Sequence, residues 1–201
     1  GSEMCIRDSN TPYFKNTFKQ DFNELFHPSS ILQRRVDKTV QMIGEPYIAM
    51  VFRFQQLLGD FKETGYKTLP EKEQNLLIQH CINKVNELRN NRHCDKLVLV
   101  TSDSSTFLQT ICQKLDFVRI IPGKVVHMDH TSDASNEVYM KSFVDLFVLS
   151  KAEKIYLLQT GNMYHSGFAQ CASMVENIPY EEIIFSVSYT HLRAHETSQD
   201  L

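Results

Sequence analysis

Residues 47–52 read Tyr-Ile-Ala-Met-Val-Phe, an apolar run with no polar member, and Arg53 ends it. Successive side chains of a strand point to opposite faces, so a strand with one wet face alternates polar and apolar residues. An unbroken run must be covered on both sides, as in the centre of a parallel sheet flanked by helices. Leu97-Val98-Leu99-Val100-Thr101 is a second run of this kind. Residues 117–121, 155–158 and 183–185 are predicted as three further strands.

Helical spacings fill the intervals. Residues 13–26 carry Phe14, Phe18, Phe22 and Leu25, and His27-Pro28-Ser29-Ser30 breaks the pattern. Ser29 or Ser30 can cap a second helix that runs through Val36, Val40 and Ile43 to a stop at Gly44. Pro70-Glu71 opens a long helix with Leu77, Cys81, Val85 and Leu88 on one face. Further helices are predicted around Phe107 and Ile111, over 136–152 and over 166–176, with a turn at Pro122-Gly123 and a short extended piece through Val125, Val126 and Met128. Strands alternating with helices give right-handed βαβ units. The fold class expected is therefore α/β, a Rossmann-like layered domain with a parallel sheet over 46–185, preceded by one or two helices in 10–45.

A formal net charge of −3 gives no support to a nucleic-acid or anionic-membrane binder. No apolar run reaches membrane-spanning length. Cys5, Cys81, Cys94, Cys112 and Cys171 are odd in number and form no C-x-x-C pair. They read as reduced, mostly buried thiols of a cytoplasmic protein, without a zinc site.

The two ends carry a different signature. Residues 1–9, GSEMCIRDS, can be encoded by DNA whose reverse complement encodes VSYTHLRA, which is Val187 to Ala194. That element resembles a sequencing-library transposase adaptor, and His195-Glu196-Thr197 continues it. Residues 1–9 and 186–201 are accordingly expected to be non-native tails around an incomplete reading frame, and are set aside for fold reasoning.

Polar groups follow three strands: Phe52-Arg53-Phe54, Thr101-Ser102-Asp103 and His165-Ser166-Gly167-Phe168. Ligands of open α/β sheets bind at that carboxyl edge. Arg53 ends a buried strand, where a guanidinium needs either a carboxylate such as Asp60 or Glu63 or an anionic ligand such as a diphosphate. Asp103 can accept two hydrogen bonds from a guanine edge, or else Asp103, Ser104 or Ser105 caps the following helix. Ser166 and Gly167 open the last full helix, whose start suits a phosphate, or is an ordinary capped terminus. His127-Met128-Asp129-His130 lacks helical metal-ligand spacing and a third ligand, and reads as a solvated loop.

In order, these motifs resemble the carboxyl-terminal nucleotide domain of GDP-fucose-dependent fucosyltransferases. The similarity is greatest to the α1,6- and nodulation-type group and more distant to the protein O-fucosyltransferases. It spans roughly residues 47–175. Arg53 matches the arginine of a strand-ending His-x-Arg motif, with Val51 in the histidine's place; Asp103 matches the last residue of Thr-Asp-Asp. Asp145, Leu149-Ser150-Lys151-Ala152 and Ser166 fit an Asp-x-x-x-Leu-Ser-x-Ala helix followed by a Ser-initiated one. The resemblance implies half of a GT-B enzyme, inactive alone, that transfers fucose with inversion from GDP-fucose to a glycan or protein acceptor hydroxyl. It implies an acceptor domain preceding this one, and no metal or other cofactor. Arg53, Asp103, Ser166, Gly167 and Phe168 would bind the nucleotide, with Arg53 also stabilising the departing GDP. A general base is expected near the mouth of the first strand, where Asp60 and Glu63 are candidates. The replacement at Val51 leaves open another nucleotide sugar, or a nucleotide-binding domain without catalysis.

Overall fold

The computed structural model of the chain describes residues 12–60, 67–123 and 136–186. Two helices lead in, α1 (Pro12–Leu25) and α2 (Ser30–Ile43). Then follow β1 (Tyr47–Phe52), α3 (Glu71–Arg92), β2 (Leu97–Ser102), α4 (Ser105–Lys114), β3 (Val118–Arg119), α5 (Asn136–Ser150), β4 (Ile155–Gln159), α6 (Gly167–Glu176) and β5 (Tyr180–Ile184). The strands form one parallel sheet in the order β3-β2-β1-β4-β5. From β1 the chain winds outward through α3 and α4 to β3. It then returns to the far side of β1 and winds the other way through α5 and α6. The domain is α/β with the doubly wound order of a Rossmann-like fold, and the reversal falls between β1 and β4.

The apolar runs divide between two cores. Ile48, Met50 and Phe52 of β1, with Val98, Val100 and Leu158, pack under α3 and α4. Tyr47, Ala49 and Val51, with Leu99, Ile155 and Leu157, pack under α2, α5 and α6. All six residues of β1 are buried, which is why its sequence does not alternate. Tyr47 brings a hydroxyl into the second core, where it donates to the Val148 carbonyl at 2.6 Å. Burial, with the nearby Glu45 charge adding to it, pushes this phenol far above its ordinary range.

Local signals set the helix ends. Ser29 caps α2 by accepting the Leu32 N–H, and Gly44 closes it in a positive-φ conformation (φ 87°) with its own N–H on the Val40 carbonyl. Of the three candidates before α4, Ser104 is the cap, accepting the Phe107 N–H at 3.0 Å. Strand β3 is shorter than predicted, two residues in place of 117–121. It pairs with β2 only, and the chain then enters Pro122, which has no N–H for a ladder. Only Cys81 is fully buried; Cys112 and Cys171 are half-buried and Cys94 is exposed, all four as free thiols. Both tails, the 125–128 piece and His127 to His130 lie outside the described residues.

Phe107 seals the first core, its ring 4.9 Å from those of Phe52 and Phe54. Urea unfolding of Phe107→Ala is expected to show a loss of about 3–5 kcal/mol. Ile184→Ala, on the 81% exposed end of β5, is expected to change stability by less than about 0.5 kcal/mol.

Candidate functional site

A cleft of about 310 Å3 opens across the carboxyl ends of β1 and β2, beside the reversal point. Its floor is the exits of β1 and β2, through Arg53 and Asp103. One wall is Lys141, Ser142 and Asp145 of α5; the other is Tyr164 and the start of α6 at Ser166, Gly167 and Phe168. The exits of β1 and β2, α5 and the start of α6, distant in sequence, thus meet in one cavity.

Arg53 is the first residue after β1. Its Nε lies 3.4 Å from Asp103 Oδ2, a carboxylate on the neighbouring strand exit, while the expected Asp60 bonds to Ser104 and Ser105. Its carbonyl accepts the Tyr164 N–H at 3.0 Å, which joins the exits of β1 and β4. Asp103 is nearly inaccessible and does more than pair. Oδ1 accepts the Phe54 N–H at 2.8 Å and Oδ2 the Gln55 N–H at 2.7 Å. Gln55 has φ 52°, a left-handed conformation that a non-glycine residue adopts at a cost. A carboxylate accepting two successive backbone donors holds that bend shut. These bonds, rather than a helix cap, occupy Asp103.

Asp60 ends the same loop and points back to the β2–α4 turn. It accepts from Ser104 Oγ at 2.5 Å, Ser105 Oγ at 2.7 Å, and the Thr106 N–H and Oγ1 at 3.2 Å each. Burial alone would raise its carboxyl, but the hydrogen bonds from Ser104, Ser105 and Thr106 prevail and hold it below its ordinary value. Its position is the start of α4, where negative charge is favoured, and it is not among the residues lining the cleft. Glu63 lies outside the described residues.

At the opposite wall, Ser166 caps α6 through a 3.4 Å bond from the Phe168 N–H. A Cβ added at Gly167 would meet nothing within 4 Å. Packing does not demand glycine there, and the space in front of the helix start is open. Phe168 and Tyr164 leave part of their rings exposed beside it. His165 lies outside the cleft lining and contacts Glu182 at 3.0 Å.

The α5 wall adds an ion pair that the sequence motifs marked only at Asp145. Lys141 Nζ contacts both carboxylate oxygens of Asp145, at 2.6 Å for Oδ2. Burial raises the Asp145 carboxyl, and Lys141 offsets only part of the effect. The i,i+4 spacing of the two residues was the available signal.

Among the described residues, no three His, Cys, Asp or Glu side chains gather as a metal site, and no helix is long and apolar enough to cross a membrane. Fold and cleft together define a Rossmann-like α/β domain with a two-walled cleft at its topological switch point. No protein-family model matches the chain, and no curated protein matches it in sequence.

Two variants test this arrangement. Removing the bracket in Asp103→Ala is expected to cost about 3 kcal/mol in urea unfolding, with faster proteolysis of the 54–60 loop. The lowered Asp60 carboxyl contributes stability above its unfolded-state value, and that contribution is lost as pH falls through its folded value. Asp60→Asn is therefore expected to flatten the acid side of the stability–pH curve, and an unchanged acid limb would contradict the assigned hydrogen bonds.

Proposed function

We propose that this domain binds the diphosphate of a GDP-sugar, by resemblance GDP-fucose, as the nucleotide-binding half of an inverting GT-B glycosyltransferase. The observation that carries the reading is the convergence of Arg53, Asp103 and the open start of α6 on one cleft beside the switch point. A guanidinium sharing a cleft with a helix start is complementary to a phosphate-bearing leaving group. In the transfer, Arg53 and the positive end of α6 at Gly167 would take up the negative charge that develops as the sugar–phosphate bond breaks. Protein groups supply this stabilisation in the proposed reaction, without a metal. The acceptor would reach the cleft mouth from a preceding domain, and a base would take the proton of its hydroxyl. Of the two candidates, Asp60 is committed to the start of α4, and Glu63 lies outside the described residues.

One observation favours a variant of this reading. Asp103 gives its carboxylate to Phe54 and Gln55, so its part in recognising guanine requires those bonds to be shared. With Val51 where the related enzymes carry histidine, a nucleotide sugar with another base is the second reading.

Calorimetric titration of the whole chain with GDP, UDP and ADP, with chelator present, tests both. A preference for GDP is expected, and Arg53→Ala is expected to weaken it at least tenfold, as for loss of a charge-assisted bond of about 1.5–3 kcal/mol. A preference for UDP or ADP selects the second reading. Equal or absent binding of all three contradicts both.

A further inference from the structure

We propose that Lys141 is the cleft's second anion-binding cation, held on Asp145 in the free protein and drawn onto the diphosphate when one enters. The inference rests on the nucleotide-binding reading and concerns a residue that no motif of the sequence marked.

The first observation is placement. Lys141 and Asp145 lie one turn apart on α5, both lining the cleft that Arg53 enters from the β1 side. Their side chains are only 19% and 24% exposed. A helical lysine ordinarily extends its stem along the surface and keeps the ammonium in water. An ordinary i,i+4 pair gains a few tenths of a kcal/mol, and nothing in that gain requires it to be turned into a cleft.

The second observation is what steers the stem. Gly123, in the turn after β3, has φ 120°, and a Cβ built on it would stand 2.9 Å from Lys141 Cε and 3.1 Å from Cδ. The absence of a side chain at Gly123 leaves the room that the lysine stem occupies. The turn after β3 thus lies against the lysine stem, and the ammonium lies with Asp145 on the cleft wall.

The third is charge. Among the described residues lining the cleft, the charged ones are Arg53, Asp103, Lys141 and Asp145. They balance as two cations against two carboxylates. Asp103 is bound to the backbone of the 54–55 bend and lies beside Arg53, so the arginine's charge is already partly compensated. A diphosphate brings at least two negative charges into this neutral cleft. Among the described residues, Lys141 is the one remaining cation on its wall, a point charge with three donors on a four-carbon stem that can turn from one acceptor to another. Asp145 competes with the ligand for it.

Titration of the whole chain with inorganic pyrophosphate separates the possibilities. Lys141→Met is expected to weaken binding about tenfold or more, and Lys141→Arg to retain most of it. Asp145→Asn is expected to tighten binding severalfold, because Lys141 no longer has to leave a carboxylate. That gain is expected to disappear in the Lys141→Met background, a non-additivity that a general field effect of Asp145 would not produce. Matching circular dichroism and thermal unfolding among the variants excludes misfolding. Absent pyrophosphate binding by the native chain, an unchanged affinity of Lys141→Met, or an Asp145→Asn gain that persists without Lys141 overturns the proposal. Lys141-dependent pyrophosphate binding without any nucleotide preference would overturn the nucleotide reading and leave this one standing. A GDP preference without Lys141 dependence does the reverse.

Discussion

The carboxylate of Asp103 is the constraint on which the site depends. It leaves β2, crosses to the exit of β1, and accepts the N–H groups of Phe54 and Gln55 while lying beside Arg53. A buried carboxylate without such partners would be destabilising by several kcal/mol, so the arrangement exists as a unit or not at all. The bond to Gln55 offsets the strain of its positive φ, and the resulting bend aims Arg53 along the cleft floor. Asp60, further along the same loop, bonds to Ser104, Ser105 and Thr106. Two carboxylates running in opposite directions thus join the β1 loop to the β2–α4 turn.

The sheet order determines why this joint produces a cleft. Helices α3 and α4 cover one face, and α2, α5 and α6 the other, so the chain leaves β1 and β4 toward opposite sides. The carboxyl ends at that divergence cannot be covered by either connection. The Tyr164 N–H on the Arg53 carbonyl keeps the two exits in register at the gap. Arg53 and the start of α6 then face one another across open space, and Gly167 adds no side chain to fill it. Buried apolar strands, a polar joint and an unfilled helix start are successive consequences of one topology.

Much of this was legible in the chain. The run 47–52 announced a central strand because burial on both faces leaves a pattern no other environment leaves. Ser29, Gly44 and Ser166 announced helix ends because caps are local chemistry. Arg53, Asp103 and Ser166 were readable as strand exits, and they do share a cleft. The partner of Arg53 was not readable. Asp60 and Glu63 are near it in sequence, whereas Asp103 is near it through parallel pairing of β1 with β2, and periodicity carries no register between distant strands. The length of β3 was hidden for a related reason: residues 117–121 are apolar enough for a strand, but an edge position and Pro122 limit the ladder to two residues. Lys141 was missed because a lysine in a helix reads as solvated, and only the space above Gly123 turns it inward.

The most direct measurement is a crystal structure of the chain grown with GDP. A diphosphate between Arg53 and the N–H groups at the start of α6, with Asp103 still bracing the 54–55 bend, is the predicted result. An empty cleft at saturating nucleotide, or GDP bound on another face with Arg53 unmoved from Asp103, would contradict it.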